Sequence, residues 1–197
     1  MNNPLQIIDR DGSVTYSPAL FPETAAQDIF RKLSDGLDWR PDEVKLFGKT
    51  IITARKTAWY GDGSYEYRYS GTVKKALPFP QELQSIRDRL LQETGYYFNS
   101  CLANLYHNGS ESMSWHSDNE PVMDPGFPIA SLSFGARRRF RFRHLGDKIT
   151  ETVLLEPGSL VMMYPPLQQH WQHCLPRMVA VREARINLTF RLFTEHR

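Results

Sequence analysis

Long apolar runs are missing from this chain. No window approaches the ~18 consecutive apolar residues of a membrane-spanning helix. The start, Met1-Asn2-Asn3-Pro4, has no basic stretch feeding an apolar one. Cysteine is nearly missing as well. Cys101 and Cys174 are the only two, too few for a disulfide framework and in keeping with a reducing compartment. Neither charge sign dominates: 24 Lys and Arg stand against 22 Asp and Glu, a net charge of +2. Affinity for a polyanion would have to come from local clusters, not from bulk charge. Repeats and low-complexity segments are absent too. The chain reads as soluble and intracellular, with no membrane contact. A bacterial cytoplasm is the first expectation and a nucleus the second.

What is present is an ordinary globular composition, 41% hydrophobic and 23% charged over 197 residues, enough for one domain with a substantial core. Leu5 to Tyr16 reads as two short strands around Asp9-Arg10-Asp11-Gly12. Pro22 opens a helix with Ala26, Ile29, Phe30 and Leu33 at helical spacing, closing near Gly36. Val44 to Ile52 reads as a hairpin turning near Gly48, and Tyr65, Tyr67 and Tyr69 alternate along the next strand. A second helix carries Leu83, Ile86, Leu90 and Leu91 and stops at Gly95. From Phe98 onward short strand patterns follow one another, separated by turns such as Gly135, Gly146 and Pro157-Gly158. This predicts an α+β chain: helices first, then a jelly-roll-like β half.

Two stretches carry chemistry. In Ser114-Trp115-His116-Ser117-Asp118-Asn119-Glu120, residues two apart in a strand share a face, so His116 and Asp118 present an imidazole beside a carboxylate. A second histidine would complete a 2-His-1-carboxylate set with open positions, an arrangement that holds non-haem Fe(II). His170 and His173 are the candidates; an odd spacing puts them on opposite faces of a regular strand, and spacing does not choose between them. His107 and His144 read as structural or exposed, and Cys174 as a reduced buried thiol. The second stretch is Arg185-Ile186-Asn187-Leu188-Thr189-Phe190-Arg191. Its even positions are apolar and its odd positions polar. The bland reading is an edge strand with a wet face. The functional one turns Arg185 and Arg191 into a pocket, where a dicarboxylate that also chelates the metal, such as 2-oxoglutarate, would neutralise them.

Asn104-Leu105-Tyr106, His116-Ser117-Asp118, His173-Cys174-Leu175-Pro176 and the Arg185–Arg191 strand together resemble the AlkB family of Fe(II)/2-oxoglutarate dioxygenases, over most of the chain from about Val44. The likeness is strongest to the DNA-repair homologues two and three. It rests further on Leu46-Phe47-Gly48-Lys49, Arg55-Lys56, Tyr60-Gly61-Asp62, Tyr67-Arg68-Tyr69-Ser70-Gly71 and Pro128–Ala136. The resemblance implies a double-stranded β-helix core preceded by helices and a nucleotide-recognition lid. That is a single domain over 1–197, with helices and lid in 1–97 and catalytic core in 98–197.

It also implies site residues. His116, Asp118 and His173 would bind Fe(II), so the resemblance selects His173 over His170. Asn104, Tyr106, Arg185, Asn187, Thr189 and Arg191 would hold 2-oxoglutarate, Arg191 at the metal end and Arg185 on the far carboxylate. O2 is the second co-substrate. A base undergoing chemistry leaves the stack, so Tyr67 and Tyr69 are expected to wall the flipped base and Phe47 beside Gly48 to fill its place. Lys49, Arg55, Arg68, Asn119 and Glu120 complete the substrate contacts, Glu120 facing the cationic base. The implied reaction is oxidative demethylation of 1-methyladenine and 3-methylcytosine in single- or double-stranded DNA, with RNA as a further partner, by a monomer. The products are formaldehyde, succinate and CO2. The alternatives are a 2-oxoglutarate oxygenase acting on RNA, protein or a small molecule, and a binding module with a vestigial pocket. Arg139, Arg141 and Arg143, on one face opposite Phe140 and Phe142, form a candidate phosphate track.

Overall fold

The computed structural model describes residues 3–46, 49–63, 66–69 and 72–194. Among these residues fourteen strands and three helices follow one another. They are β1 (Leu5–Ile8), β2 (Ser13–Ser17), α1 (Glu23–Gly36), β3 (Arg40–Leu46), β4 (Lys49–Gly61), β5 (Glu66–Tyr69), β6 (Thr72–Lys75), α2 (Gln81–Thr94) and β7 (Ser100–Tyr106). Then come β8 (Met113–His116), β9 (Ile129–Gly135), β10 (Arg138–His144), β11 (Thr150–Leu155), β12 (Ser159–Tyr164), α3 (Leu167–His170), β13 (Trp171–Leu175) and β14 (Arg185–Arg191). An eight-stranded sheet runs β1-β2-β12-β9-β14-β7-β4-β3; a four-stranded one runs β11-β10-β13-β8; β5 and β6 form a separate hairpin. Every strand pair in the two large sheets is antiparallel.

The layers follow from side-chain alternation. Ile186, Leu188 and Phe190 of β14 are fully buried and pack with Leu132, Ala103 and the α1 and α2 residues Leu33, Leu83, Ile86 and Leu90. The helices therefore cover the outer face of the large sheet. The inner face meets the small sheet over a second core that includes Val161, Met163, Phe142, Leu155 and Trp171. This is the α+β jelly roll expected from the strand spacing. The first 97 residues supply more than helices and lid: β1–β2 and β3–β4 extend the large sheet at its two edges.

Each of the three described helices starts after a proline, Pro22, Pro80 and Pro166, and α2 ends on Gly95 at φ 75°. Leu91 was expected on the apolar face of α2 but is exposed; it lies about 100° round the helix from Leu90. The edge-strand reading of β14 fails because β14 sits in the middle of the large sheet, paired to β9 on one side and β7 on the other. Its polar odd positions face the space between the sheets.

Gly135 ends β9 at φ +83°, and a Cβ there would lie 2.4 Å from the Ala184 carbonyl and 2.8 Å from the Phe30 ring. Gly135→Ala is expected to destabilise the fold by about 2 kcal/mol or more, from left-handed strain plus collision with backbone. Urea unfolding with an unchanged m-value measures it.

Candidate active site

The register of β8 and β13 sets His116 directly opposite His173. Asp118 follows two residues later, where the backbone leaves the strand and its N–H donates to Gln168 Oε1 at 2.9 Å. The ligand atoms of His116, Asp118 and His173 all lie within 4.8 Å of one another. His116 Nδ1 is 2.8 Å from the Ser114 carbonyl, which turns Nε2 toward Asp118, 3.7 Å away. His173 is buried among Phe140, Phe142 and His116.

Protonation states suit a cation. Burial, with the neighbouring His116, pushes His173 down to about 3, so it presents a neutral imidazole at working pH. Burial alone would raise the Asp118 carboxyl, but Arg191, His173 and His116 together hold it well below the usual carboxylate range. Arg191 Nη2 lies 2.9 Å from Asp118 Oδ2.

The His173 shift predicts acid sensitivity of the metal-free chain. The folded value, about 3, lies below the unfolded value of 6.5, so the unfolded chain binds the extra proton between them. This contribution to stability is full above pH 6.5 and is lost as pH falls toward 3. The melting temperature of the chelator-treated chain is expected to fall across this window, and His173→Ala to flatten the slope.

A cavity of about 370 Å³ opens from this cluster between the two sheets. Asn104, Tyr106, Arg185, Asn187, Thr189 and Arg191 all line it, as does Glu120. The six residues that the resemblance assigns to 2-oxoglutarate thus line one cavity. Arg185 is fully buried. Its Nη2 donates to Ser133 Oγ at 2.8 Å, and its guanidinium lies 5.6 Å from the centre of the Tyr106 ring. Burial pushes it down to about 10, opposed by Tyr106 and aided by Arg138. Among the described residues no carboxylate lies within salt-bridge distance of it. Arg185 Nε, Asn104 Oδ1, Arg191 Nε and Glu120 Oε2 are buried without a hydrogen-bond partner among the described residues. Buried unpaired cations and unspent polar atoms are costly. An anionic, oxygen-rich ligand fits them, as a divalent cation fits the His-Asp-His set.

The substrate residues divide. Glu120 lines the cavity with Oε1 3.7 Å from Arg191 Nη1, and Asn119 is exposed at its mouth. Arg55, expected in the lid, is instead buried in the cavity wall. It is paired with Asp42 and its Nη1 lies 3.0 Å from the Met113 sulfur. Lys49 stands opposite Leu46 at the hairpin end, and Tyr67, Arg68 and Tyr69 pair with Lys74, Val73 and Thr72. Phe47 and Gly48 lie outside the described residues, as do the side chains of Lys49, Tyr67, Arg68 and Tyr69.

Sequence reasoning missed Asp42, Ser131 and Ser133, which line or buttress the cavity. Their only local signal was a polar residue at an inward strand position. His170 does not join His116 and Asp118; it ends α3, outside the strand that carries His173. Arg139, Arg141 and Arg143 do face outward, as expected. Trp115 lies under two of them, its ring centre 5.7 Å from the Arg141 guanidinium and 4.4 Å from that of Arg143. Arg138, by contrast, is fully buried and donates to the carbonyls of Asn108, Glu111 and Pro176. Both cysteines are buried free thiols.

A family model described as the 2OG-Fe(II) oxygenase superfamily matches residues 13–191. The chain is 40% identical over 183 residues to the DNA oxidative demethylase ALKBH2 of Mus musculus, covering 87% of this chain and 77% of that protein. Identity to the Homo sapiens ALKBH2 is 38%, covering 87% and 70%. For the Homo sapiens alpha-ketoglutarate-dependent dioxygenase alkB homolog 3 it is 36% over 208 residues, covering 94% and 72%. The solved structure of OsALKBH1 superposes with a TM-score of 0.63 at 16% identity, over 95% of this chain and 100% of that one. That likeness speaks to the fold.

Proposed function

Because the chain belongs to the AlkB family within the 2OG-Fe(II) oxygenase superfamily, and is thereby an Fe(II)- and 2-oxoglutarate-dependent dioxygenase, we propose that it oxidatively demethylates N-alkylated bases in DNA. The observation that carries this reading is one cavity with a His116-Asp118-His173 cluster at one end and the unpaired Arg185 guanidinium along its wall. The identity to named DNA demethylases supports the substrate class.

In this reading His116, Asp118 and His173 hold the iron. Arg185, with Ser133 keeping it in place, takes the far carboxylate of 2-oxoglutarate; Asn104, Tyr106, Asn187 and Thr189 line the rest of its path. Arg191 fixes Asp118 and contributes charge at the metal end. When bound, the metal with 2-oxoglutarate and O2 supplies the oxidation that yields succinate and CO2 and hydroxylates the N-methyl carbon, after which the hemiaminal releases formaldehyde and the free base. The chain's own contribution is position and exclusion of water. Glu120 places a carboxylate in the cavity where a cationic 1-methyladenine or 3-methylcytosine would sit. Phe47, Gly48, Lys49, Arg68 and the Tyr67–Tyr69 pair are the proposed lid, and Arg55 with Asp42 a polar wall behind it.

We take the enzyme to act as a cytoplasmic monomer on single- or double-stranded DNA, with RNA as the competing substrate. Among the described residues no helix is long and apolar enough to cross a membrane. The deciding experiment compares formaldehyde and succinate release on methylated single-stranded DNA, duplex DNA and RNA. Release with DNA, weakened by Phe47→Ala and Tyr67→Ala, is expected. Succinate release that no methylated nucleic acid stimulates would sink the substrate assignment while leaving the oxygenase intact.

A further inference from the structure

A second cluster of ligating side chains lies outside the cavity. Asp11 in the β1–β2 turn, His144 at the end of β10 and His170 at the end of α3 have their ligand atoms within 4.8 Å of one another. We infer that Asp11, His144 and His170 form a second divalent-cation site, of the kind that takes Zn(II), stapling the two sheets together at their edge.

The donor set is right for such an ion. Two imidazoles and a carboxylate suit zinc, which binds His nitrogen and carboxylate oxygen at about 2.0–2.2 Å. His144 is buried, and its two ring nitrogens have different partners. Nδ1 is 2.8 Å from Asp147 Oδ1, whereas Nε2 is 3.1 Å from Asp11 Oδ2. A carboxylate against Nδ1 holds the ring and leaves Nε2 facing Asp11, the arrangement by which metal-bound histidines are oriented. The His170 ring lies nearly parallel to that of His144, with centroids 6.5 Å apart.

Charge points the same way. Asp11 and Asp147 carry two negative charges, and the Arg10 guanidinium reaches both, at 3.3 Å and 2.6 Å. One guanidinium against two carboxylates leaves a negative charge over. Arg10 is itself 56% exposed along its side chain, so it is free to yield to an ion.

The scaffold holds the three segments together before any ion arrives. A Cβ on Gly12, at φ +117°, would lie 2.5 Å from the Leu167 backbone, so only glycine lets this turn press against α3. Trp171 Nε1 donates to the Arg10 carbonyl at 3.0 Å, and Leu145 N–H to the His170 carbonyl at 2.8 Å. Tetrahedral ligands at zinc bond lengths stand about 3.4 Å apart. The remaining closure falls to His170, a half-buried side chain on the last residue of a four-residue helix.

The test counts metal. Wild-type chain stripped by chelator, loaded with Zn(II) and desalted is expected to keep about two equivalents, and His170→Asn or Asp11→Asn about one. In a His116→Ala/His173→Ala chain, about one equivalent should remain and should raise the melting temperature by several degrees; adding His170→Asn removes both effects. Melting curves in chelator check that each variant is folded. The inference is overturned if the double variant binds no stoichiometric zinc, or if its zinc is indifferent to His170→Asn and Asp11→Asn. Loss of the first equivalent alone, in the pocket variant, bears on the oxygenase site and leaves this one standing.

Discussion

His173→Ala is expected to abolish Fe(II)-dependent formaldehyde release, by at least about 10³-fold, while the chain stays folded. The size follows from the removal of one of the three proposed protein ligands, since metal chemistry is worth several kcal/mol of barrier and each 1.36 kcal/mol is tenfold in rate. The clean separation from folding follows from charge. His173 is buried and neutral, so its loss leaves a small cavity beside Phe140 and Phe142, costing about 2 kcal/mol, and no orphaned ion. Asp118→Ala is the instructive contrast. It removes a ligand and strands the buried Arg191 guanidinium, whose main partner it is. Removing one member of a buried pair costs about 3–5 kcal/mol, so that variant should lose activity and melt early. Activity, Mn(II)- or Fe(II)-induced thermal shift and melting temperature, measured on both variants, distinguish the two effects. Retained iron-dependent turnover in His173→Ala would remove it from the ligand set.

The second large effect is a split at Arg185. In Arg185→Met the KM for 2-oxoglutarate should rise by about 10²–10³-fold. Truncating one side of a buried, hydrogen-bonded charge pair costs 2–5 kcal/mol of binding. The chain without 2-oxoglutarate should be no less stable than the wild type, and up to about 1–4 kcal/mol more stable. Arg185 is fully buried, has no carboxylate partner among the described residues, and is pushed down to about 10 by burial. Its charge is costly until an anion arrives. An unbranched methionine fills much of the same path past Tyr106 and leaves Ser133 a rotatable hydroxyl. Thermal shift on adding 2-oxoglutarate should be large in wild type and absent in Arg185→Met. If the variant instead melts well below wild type without 2-oxoglutarate, the guanidinium is holding the fold and the cradle must be centred elsewhere.

Both effects rest on a strand whose pattern is visible in the chain. Alternation in Arg185 to Arg191 told which residues share a face, because successive Cβ atoms point to opposite sides of a pleated strand. It did not tell which face is wet. The edge reading and the pocket reading predict the same sequence, and they differ only in whether strands lie on both sides. The same limit applies at the histidines. Spacing excluded His170 and His173 from a common face without choosing between them. The choice came from resemblance; in the structure β13 begins after His170, and His173 stands opposite His116. Arg55 shows the reverse case. The resemblance grouped Arg55 with the lid, yet Asp42 on the neighbouring strand draws it into the cavity wall.

By itself, then, the sequence determined most element types, which residues share a strand face, and which candidate ligand side chains were on offer. These depend on local periodicity and on side-chain chemistry. Only the tertiary structure decided which sets meet: β14 central, β8 against β13, and Asp11 brought to His144 across 133 residues. Pairing across such distances is settled by the packing of two sheets and a helical layer, and no window of sequence contains both partners.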